Sequence, residues 1–199
     1  MVIIDPHGDM AEEIAQFKVF KHPHIKKRLV FIDPTLNDAY SPSINPFAII
    51  DRSEKNIAIM TQELKSIIAV LLEGSSTTHQ MDAILSPCIA TLLRRENSSF
   101  TDLQRFMDDE NNQDLIELGK QSPNPQHKQL FQTKFNTRFY DATKHGLYTR
   151  MQILLNDPIF QNLISNKTTI DLKQLIERKS IILFKLSLGE VGTESVQAF

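Results

Sequence analysis

The first nine residues, Met-Val-Ile-Ile-Asp-Pro-His-Gly-Asp, constrain the fold more than any other stretch of this sequence. Their β-branched run is typical of a strand that helices bury on both faces of a parallel sheet. Pro6 ends the strand because proline has no backbone N–H for the sheet, and Gly8 allows a tight turn. Residues 10–17 then have the composition of a helix, with Asp9 as its predicted N-cap. Asp5 therefore lies at the carboxyl end of a strand, where open α/β sheets bind ligands.

Two later apolar runs predict further strands of the same sheet. Residues 29–32 are again followed by an Asp-Pro pair, and residues 181–184 are Ile-Ile-Leu-Phe. The first two runs are about thirty residues apart, which predicts neighbouring parallel strands joined by a crossover helix. Residues 18–28 are predicted to be a basic loop in that crossover. We expect the three runs to form one parallel sheet.

Between the second and third runs the periodicity becomes that of helices. Apolar residues recur at three- and four-residue spacing from residue 53 to residue 164, and no segment alternates as a half-buried strand does. Ser53 and Ser99 are predicted N-caps of two of these helices. The predicted fold class is therefore α/β, a partial parallel sheet interrupted by a large all-α insertion. Residues 1–50 and 166–199 form the sheet part, and residues 51–165 form the insertion.

The charges are segregated inside the helical insertion. The 199-residue chain has a net charge of −2, which excludes a globally basic nucleic-acid binder but leaves room for a local basic surface. Residues 98–117 contain six acidic residues against Arg105, whereas residues 125–150 contain a single acidic residue, Asp141. The cations of that second segment are Lys128, Lys134, Arg138, Lys144 and Arg150.

A helix predicted over residues 127–140 organises this basic segment. Phe131, Phe135 and Phe139 follow one another at four-residue spacing, which predicts a stripe facing the core. Lys134 and Arg138 fall on a neighbouring stripe that faces outward. One interpretation is an ordinary amphipathic helix with a solvated cationic face. The other is a surface that contacts the phosphates of single- or double-stranded DNA without reading its sequence.

The sequence does not indicate a metal site or a membrane span. His7, His22 and His24 have no cysteine nearby, so exposed loops explain them better than zinc ligation. Cys88 lies in an apolar run and is predicted to be a buried apolar side chain. No apolar run reaches the roughly 18 residues that a membrane span needs. We expect a cytoplasmic protein, and we expect these 199 residues to make no contact with a membrane.

A set of short motifs runs in order through nearly the whole chain. They are Ile3-Ile-Asp-Pro-His-Gly-Asp9, Phe31-Ile-Asp-Pro34, Ile44-Asn-Pro-Phe47, Ser99-Phe-Thr-Asp-Leu103, Asn156-Asp-Pro158, Ile170-Asp-Leu172, and Ser180-Ile-Ile-Leu-Phe184 with Leu186-Ser-Leu-Gly189 and Gly192. Together they resemble the TraG/TraD-type coupling ATPases of conjugative type IV secretion and their HerA/FtsK-like relatives. In that family the matching segment lies between the Walker A loop and the Walker B strand of a RecA-like domain, and it contains an inserted all-α domain.

The resemblance implies a role in a DNA-translocating P-loop ATPase. It implies a homo-oligomeric ring at or near the cytoplasmic face of the inner membrane, with DNA or secretion substrate proteins as partners. It also implies ATP and Mg²⁺ as cofactors of the complete protein, with Asp5 and Asp9 facing the nucleotide. The alternative for these two aspartates is that Asp5 caps the turn and Asp9 caps the helix.

The departures from the family pattern predict that the chain alone does not hydrolyse ATP. It contains no Gly-x-x-x-x-Gly-Lys-[Ser/Thr] loop to hold phosphates, and no apolar strand that ends in Asp-Glu to hold Mg²⁺. Residues 193–199 have the composition of a helix that begins as the sequence stops. We therefore expect the middle part of a motor, with no cofactor of its own. The alternative function is a helical docking module that recruits partner proteins and never touches nucleic acid.

Overall fold

The computed structural model describes residues 1–36, 41–72, 79–165 and 167–186, which form ten α-helices and three strands. The strands are β1 (Val2–Asp5), β2 (Leu29–Ile32) and β3 (Ile181–Lys185). The helices are α1 (Asp9–Ala15), α2 (Pro23–Lys26), α3 (Glu54–Leu71), α4 (His79–Arg94), α5 (Phe100–Phe106), α6 (Gln113–Gly119), α7 (Pro125–Thr133), α8 (Asp141–Leu155), α9 (Pro158–Ser165) and α10 (Leu172–Glu177). The helix predicted over residues 193–199 lies outside the described residues.

The chain divides into two compact units. The sheet unit consists of Met1–Ile44 and Pro158–Phe199, and the helical unit of Asn45–Asp157. The sequence prediction placed the ends of the helical insertion at residues 51 and 165. Helix α9, which was assigned to the insertion, belongs to the sheet unit, where the carbonyl of Leu163 accepts a hydrogen bond from the backbone N–H of Ile44 at 2.7 Å.

The three predicted strands form one parallel sheet, as expected, but their order is β1-β3-β2. The prediction that β1 and β2 are neighbours is therefore wrong, because β3 lies between them and pairs with both. Val2, Ile182 and Val30 share one row of the sheet. The central position falls to the strand whose middle residues, Ile182, Leu183 and Phe184, are all buried.

The expected burial on both faces holds for β3 only. In the two outer strands Val2 is 46% exposed, Ile4 43% and Phe31 37%. Each of these strands pairs on one side only within the described sheet, so the covering helices reach only part of its surface. The apolar composition of β1 and β2 is the same as that of a central strand, and composition alone did not distinguish the positions.

The two crossovers of the sheet lie on opposite faces. Helix α1 follows β1 and contacts the face that carries Asp5 and Lys185. Helix α10 precedes β3, and its Leu172 and Leu175 pack on the other face, against the apolar cluster that contains Ile182 and Phe184. The first crossover runs from β1 outward to β2 and the second runs back from β2 to β3. Right-handed crossovers in opposite directions place their helices on opposite faces.

The segment predicted as a basic loop, residues 18–28, is largely helical. Lys18–Lys21 form a single 3-10 turn, and Pro23 opens the short helix α2. Proline suits the first helical position because its missing N–H would have no partner there. The turn buries Phe20, which is 7% exposed.

The helical unit has the predicted periodicity. Ser53 caps α3 by accepting a hydrogen bond from the backbone N–H of Asn56, and Ser99 with Asp102 forms a reciprocal capping box at α5. Helix α4 is its central helix, with most of its residues buried, and Cys88 is fully buried in it, as predicted. Burial raises the pKa of the Cys88 thiol well above its usual value, which keeps it protonated.

Helix α7 is shorter than predicted and ends at Thr133 instead of residue 140. The Thr137 hydroxyl donates to the carbonyl oxygen of Lys134 at 2.7 Å, and residues 134–140 form successive turns. The four-residue phenylalanine stripe is therefore broken. Phe131 and Phe135 are buried as expected, but Phe139 is 62% exposed.

Candidate functional site

Asp5 binds the turn that follows β1. Its carboxylate accepts hydrogen bonds from the backbone N–H groups of His7, at 3.1 Å, and of Ala11, at 2.7 Å. The side chain is buried, with 3% of its surface exposed. Burial raises the pKa of Asp5, but these hydrogen bonds, with others from Gly8 and Met10, outweigh it and hold the pKa below its usual value. The alternative drawn from the sequence, that Asp5 caps the turn, describes these contacts.

Asp9 is not the N-cap of α1. Gly8 occupies that position in a left-handed conformation, with φ of 88°, which a residue with a side chain rarely adopts. Asp9 is instead the first helical residue, and its side chain is exposed. A carboxylate in the first turn is favourable because of the helix dipole. The capping role predicted for Asp9 is filled by Asp5, which reaches the helix from the end of the strand.

A second cluster at the same edge of the sheet was missed by sequence reasoning. The Lys185 ammonium lies 2.8 Å from Oε1 of Glu12 on α1 and 3.3 Å from Oδ2 of Asp33 after β2. The hydrogen bond that Lys185 donates to Glu12, with a smaller contribution from Asp33, raises the pKa of Lys185 to about 12 against the lowering effect of burial. Asp33 also accepts hydrogen bonds from the backbone N–H and the hydroxyl of Thr35.

The carboxyl edge of the sheet thus carries a charged residue at each strand. Asp5 ends β1, Lys185 ends β3, and Asp33 follows β2. The sequence shows a lysine directly after the apolar run 181–184, but no local pattern connects it to Glu12 or Asp33. The carboxyl ends of the strands form the edge at which open α/β sheets bind ligands. Within the described ranges, no group of three or more His, Cys, Asp or Glu side chains is arranged to hold a metal ion.

Three of the five predicted DNA-binding cations lie on the surface of the helical unit. Lys128 is exposed on α7, and Lys134 and Arg138 are exposed at and after its end. None of the three forms an ion pair with another described residue. Arg150 is half-buried on α8, with its Nη1 at 3.7 Å from the sulfur of Met81.

Lys144 is the exception to the predicted surface. Its side chain is 2% exposed, and its ammonium donates to both carboxylate oxygens of Asp109 at 2.6 Å. It also lies 5.3 Å from the centre of the Phe135 ring. The expectation that Lys144 contacts DNA is therefore corrected: its ammonium is held inside the helical unit. Helix α8 begins at Asp141, and residue 144 falls on its inner face.

Phe139 lies beside these exposed cations, although its spacing in the sequence predicts a place in the core. It lies next to the exposed Arg138, and its ring meets that of Tyr140 edge to face, with centroids 4.7 Å apart. An exposed aromatic ring beside unpaired cations is the combination on which single-stranded nucleic acids stack their bases. Phe139 is exposed because α7 ends at Thr133, before the phenylalanine spacing does. Nothing in the four-residue spacing indicates that the helix stops there.

Comparison with models of protein families, with curated proteins and with solved structures finds no match for this chain. Among the helices of the described residues, none has both the length and the apolar composition to cross a membrane.

Proposed function

We propose that this chain is part of a DNA-translocating P-loop ATPase of the TraG/TraD coupling type, and that its helical unit contacts DNA. The observation that carries the proposal is a helical unit inserted between β2 and β3 of a parallel sheet whose strands all lead to charged residues at one edge. The resemblance of the motifs implies a RecA-like sheet with an all-α insertion in the same places. The helical unit follows β2 and precedes β3 in the chain, which is the position that the resemblance implies for the all-α insertion.

The DNA-contacting surface consists of Lys128, Lys134, Arg138 and Phe139, and we call it the α7 surface. Three cations without ion-pair partners in the described structure can neutralise phosphates and release counterions, which gives affinity without sequence preference. Phe139 adds a ring that can stack on an unpaired base. Arg150 is half-buried and is not included in this surface. Lys144 is not included because its ammonium is paired with Asp109.

The nucleotide site belongs to the complete protein in this proposal. ATP and Mg²⁺ would meet the charged edge of the sheet, opposite a Walker A loop supplied by the rest of the motor. Both oxygens of Asp5 already accept backbone hydrogen bonds, so Asp5 would shape the turn that faces the nucleotide. Asp9 is exposed at the start of α1 and is free to face solvent or ligand. The proposal also includes the assembly of several copies of the complete protein into a homo-oligomeric ring.

A second candidate function, a docking module for partner proteins, is favoured by the outer side of α3. Ile59 is 48% exposed, Ile67 47% and Val70 60%, and the spacing of these residues places them along one side of the helix. An exposed apolar stripe of this kind is typical of protein–protein contact. A docking module of this kind requires no nucleic acid, so DNA affinity separates the two functions.

Charge reversal on the α7 surface tests the DNA function. The double variant Lys134→Glu, Arg138→Glu is expected to lose binding to a single-stranded oligonucleotide by about a hundredfold or more, because two phosphate contacts become repulsions. Fluorescence anisotropy at low salt measures the affinity. Both side chains are exposed, so the free energy of unfolding should change by less than about 1 kcal/mol.

Two controls accompany this experiment. Lys144→Met removes a cation that is paired inside the helical unit and should leave DNA affinity unchanged. Lys173→Glu with Arg178→Glu reverses two exposed charges on or next to α10, in the sheet unit, and should also have little effect. If the double variant of the α7 surface binds DNA as well as the parent does, the surface is merely solvated and the docking function takes precedence.

A further inference from the structure

The sheet unit contains a cleft that the proposed function does not use. It lies where the end of α1, the 3-10 turn, α2 and the start of β2 meet, and its volume is about 560 Å³. Phe17, Phe20 and Leu29 contribute apolar surface to its walls, and Lys21 and Lys26 line it as well. A concave cleft of this size, lined by both apolar and polar side chains, has the character of a binding site.

The segment that supplies most of the cleft's lining is basic. Residues 16–32 include no aspartate or glutamate. Lys18, Lys21, Lys26 and Lys27 are exposed, and none of them forms an ion pair with any residue in the described part of the chain. Arg28 differs, since its guanidinium donates two hydrogen bonds to the carbonyl oxygen of Lys179. Lys21 and Lys26, the two of these lysines that line the cleft, therefore remain for an anionic ligand.

Large apolar side chains remain in contact with water at the same place. Phe17 is 49% exposed and Val19 is 46% exposed, although the neighbouring Phe20 is buried. Exposed apolar side chains beside polar groups of one charge are typical of a surface that binds another molecule. The patch and the lysines together specify a ligand that carries both apolar surface and negative charge.

We propose that this cleft, defined by Phe17, Phe20, Leu29, Lys21 and Lys26, binds an acidic segment of a partner protein that inserts an apolar side chain. The inserted side chain would contact Phe20 and Leu29 and cover the exposed part of Phe17. Carboxylates on either side of it would meet Lys21 and Lys26. The charge complementarity supplies orientation and a faster encounter, and the apolar contact supplies much of the affinity.

An acidic peptide fits this cleft better than a nucleic acid strand does. The lysines would attract phosphates as readily as carboxylates. A base, however, stacks on a flat exposed ring, whereas Phe20 and Leu29 form a recess in which an aliphatic side chain loses its contact with water. The proposal is independent of the DNA function, because the cleft lies in the sheet unit and the α7 surface lies in the helical unit.

A designed peptide tests the proposal on the full chain. The probe is a short fluorescent peptide with glutamates on both sides of two adjacent leucines, and its partner probe has serines in place of the leucines. The serine peptide is expected to bind the parent chain about tenfold more weakly, which corresponds to about 1.4 kcal/mol. Lys21→Glu with Lys26→Glu should weaken the leucine peptide by a similar factor or more, and Phe17→Ala should weaken it by about fivefold.

The controls distinguish a specific cleft from general attraction to a basic surface. Lys173→Glu with Arg178→Glu should leave peptide affinity unchanged, as should the double variant of the α7 surface. The proposal is overturned if the serine peptide binds equally well, or if the control variants lose as much affinity as the cleft variant. It is also overturned if an oligonucleotide displaces the peptide and depends on Lys21 and Lys26, because the cleft would then be a nucleic-acid site.

Discussion

Replacing Asp5 by alanine is expected to lower the free energy of unfolding by roughly 2–4 kcal/mol, one of the two largest effects of a single substitution anticipated for this chain. The carboxylate accepts backbone hydrogen bonds from His7 and Ala11, and its removal leaves those N–H groups without their acceptor. The side chain is buried, so water cannot simply replace it. Chemical denaturation followed by circular dichroism measures the loss.

The same residue predicts a dependence on pH. The pKa of Asp5 is lower in the folded chain than the value of 3.8 expected without these contacts. Below 3.8 the unfolded chain binds a proton that the folded chain does not, so the stabilisation is present above this pH and is lost as the pH falls through the folded pKa. Asp5→Ala should therefore lose less stability than the parent as the pH falls from neutral to below 3.8.

Asp9→Ala is the matched control for Asp5. Asp9 is exposed in the first turn of α1, and its carboxylate forms no ion pair with another described residue, so its removal should cost less than about 1 kcal/mol. Equal losses for the two variants would mean that the hydrogen bonds of Asp5 do not hold the turn together.

Alanine at two helical glycines is expected to change stability in opposite directions. At Gly119, on α6, an added Cβ would lie 2.4 Å from Cδ2 and 2.7 Å from Cγ of Phe131. The Phe131 ring cannot easily move away, because it packs against two other rings. Its centroid lies 5.6 Å from that of Phe106 and 5.1 Å from that of Phe135. Gly119→Ala should lower the free energy of unfolding by about 1–3 kcal/mol, in spite of the better helix propensity of alanine.

Gly146, on α8, provides the control. An added Cβ there meets nothing within 4 Å, so only the helix propensity changes. Gly146→Ala should raise the free energy of unfolding by about 0.5–1 kcal/mol. Thermal melts of the two variants and the parent measure both effects. Stabilisation by Gly119→Ala would contradict the close packing of α6 against the phenylalanine cluster.

The sequence predicted where the strands and most helices lie, because those features depend on local patterns. β-branched runs located β1, β2 and β3, and Ser53 and Ser99 marked helix starts with side chains that cap the adjacent backbone. The order of the strands was not predictable in the same way. The insertion of β3 between β1 and β2 depends on contacts between residues far apart in the chain, and the apolar runs are alike.

The same reasoning explains the errors at the candidate sites. Lys144 carries a charge that usually faces water, and its burial depends on Asp109 and Phe135, which no local spacing connects to it. Phe139 was placed in the core because the four-residue spacing continued, although the helix ended at Thr133. Lys185 was overlooked because its partners, Glu12 and Asp33, come from two other parts of the chain. Charged residues are the hardest to place from sequence, since a distant partner decides whether they are buried.

The salt dependence of DNA binding tests the central claim most directly. If Lys128, Lys134 and Arg138 contact phosphates, the logarithm of affinity should fall linearly with the logarithm of salt concentration, with a slope of roughly −2 to −3 from about −0.7 per contact for single strands and about −0.9 for duplex. Oligonucleotides of unrelated sequence should give the same slope and similar affinities. A slope near zero, a strong preference for one sequence, or no binding at the lowest salt concentration would contradict the claim that the helical unit holds DNA through the α7 surface.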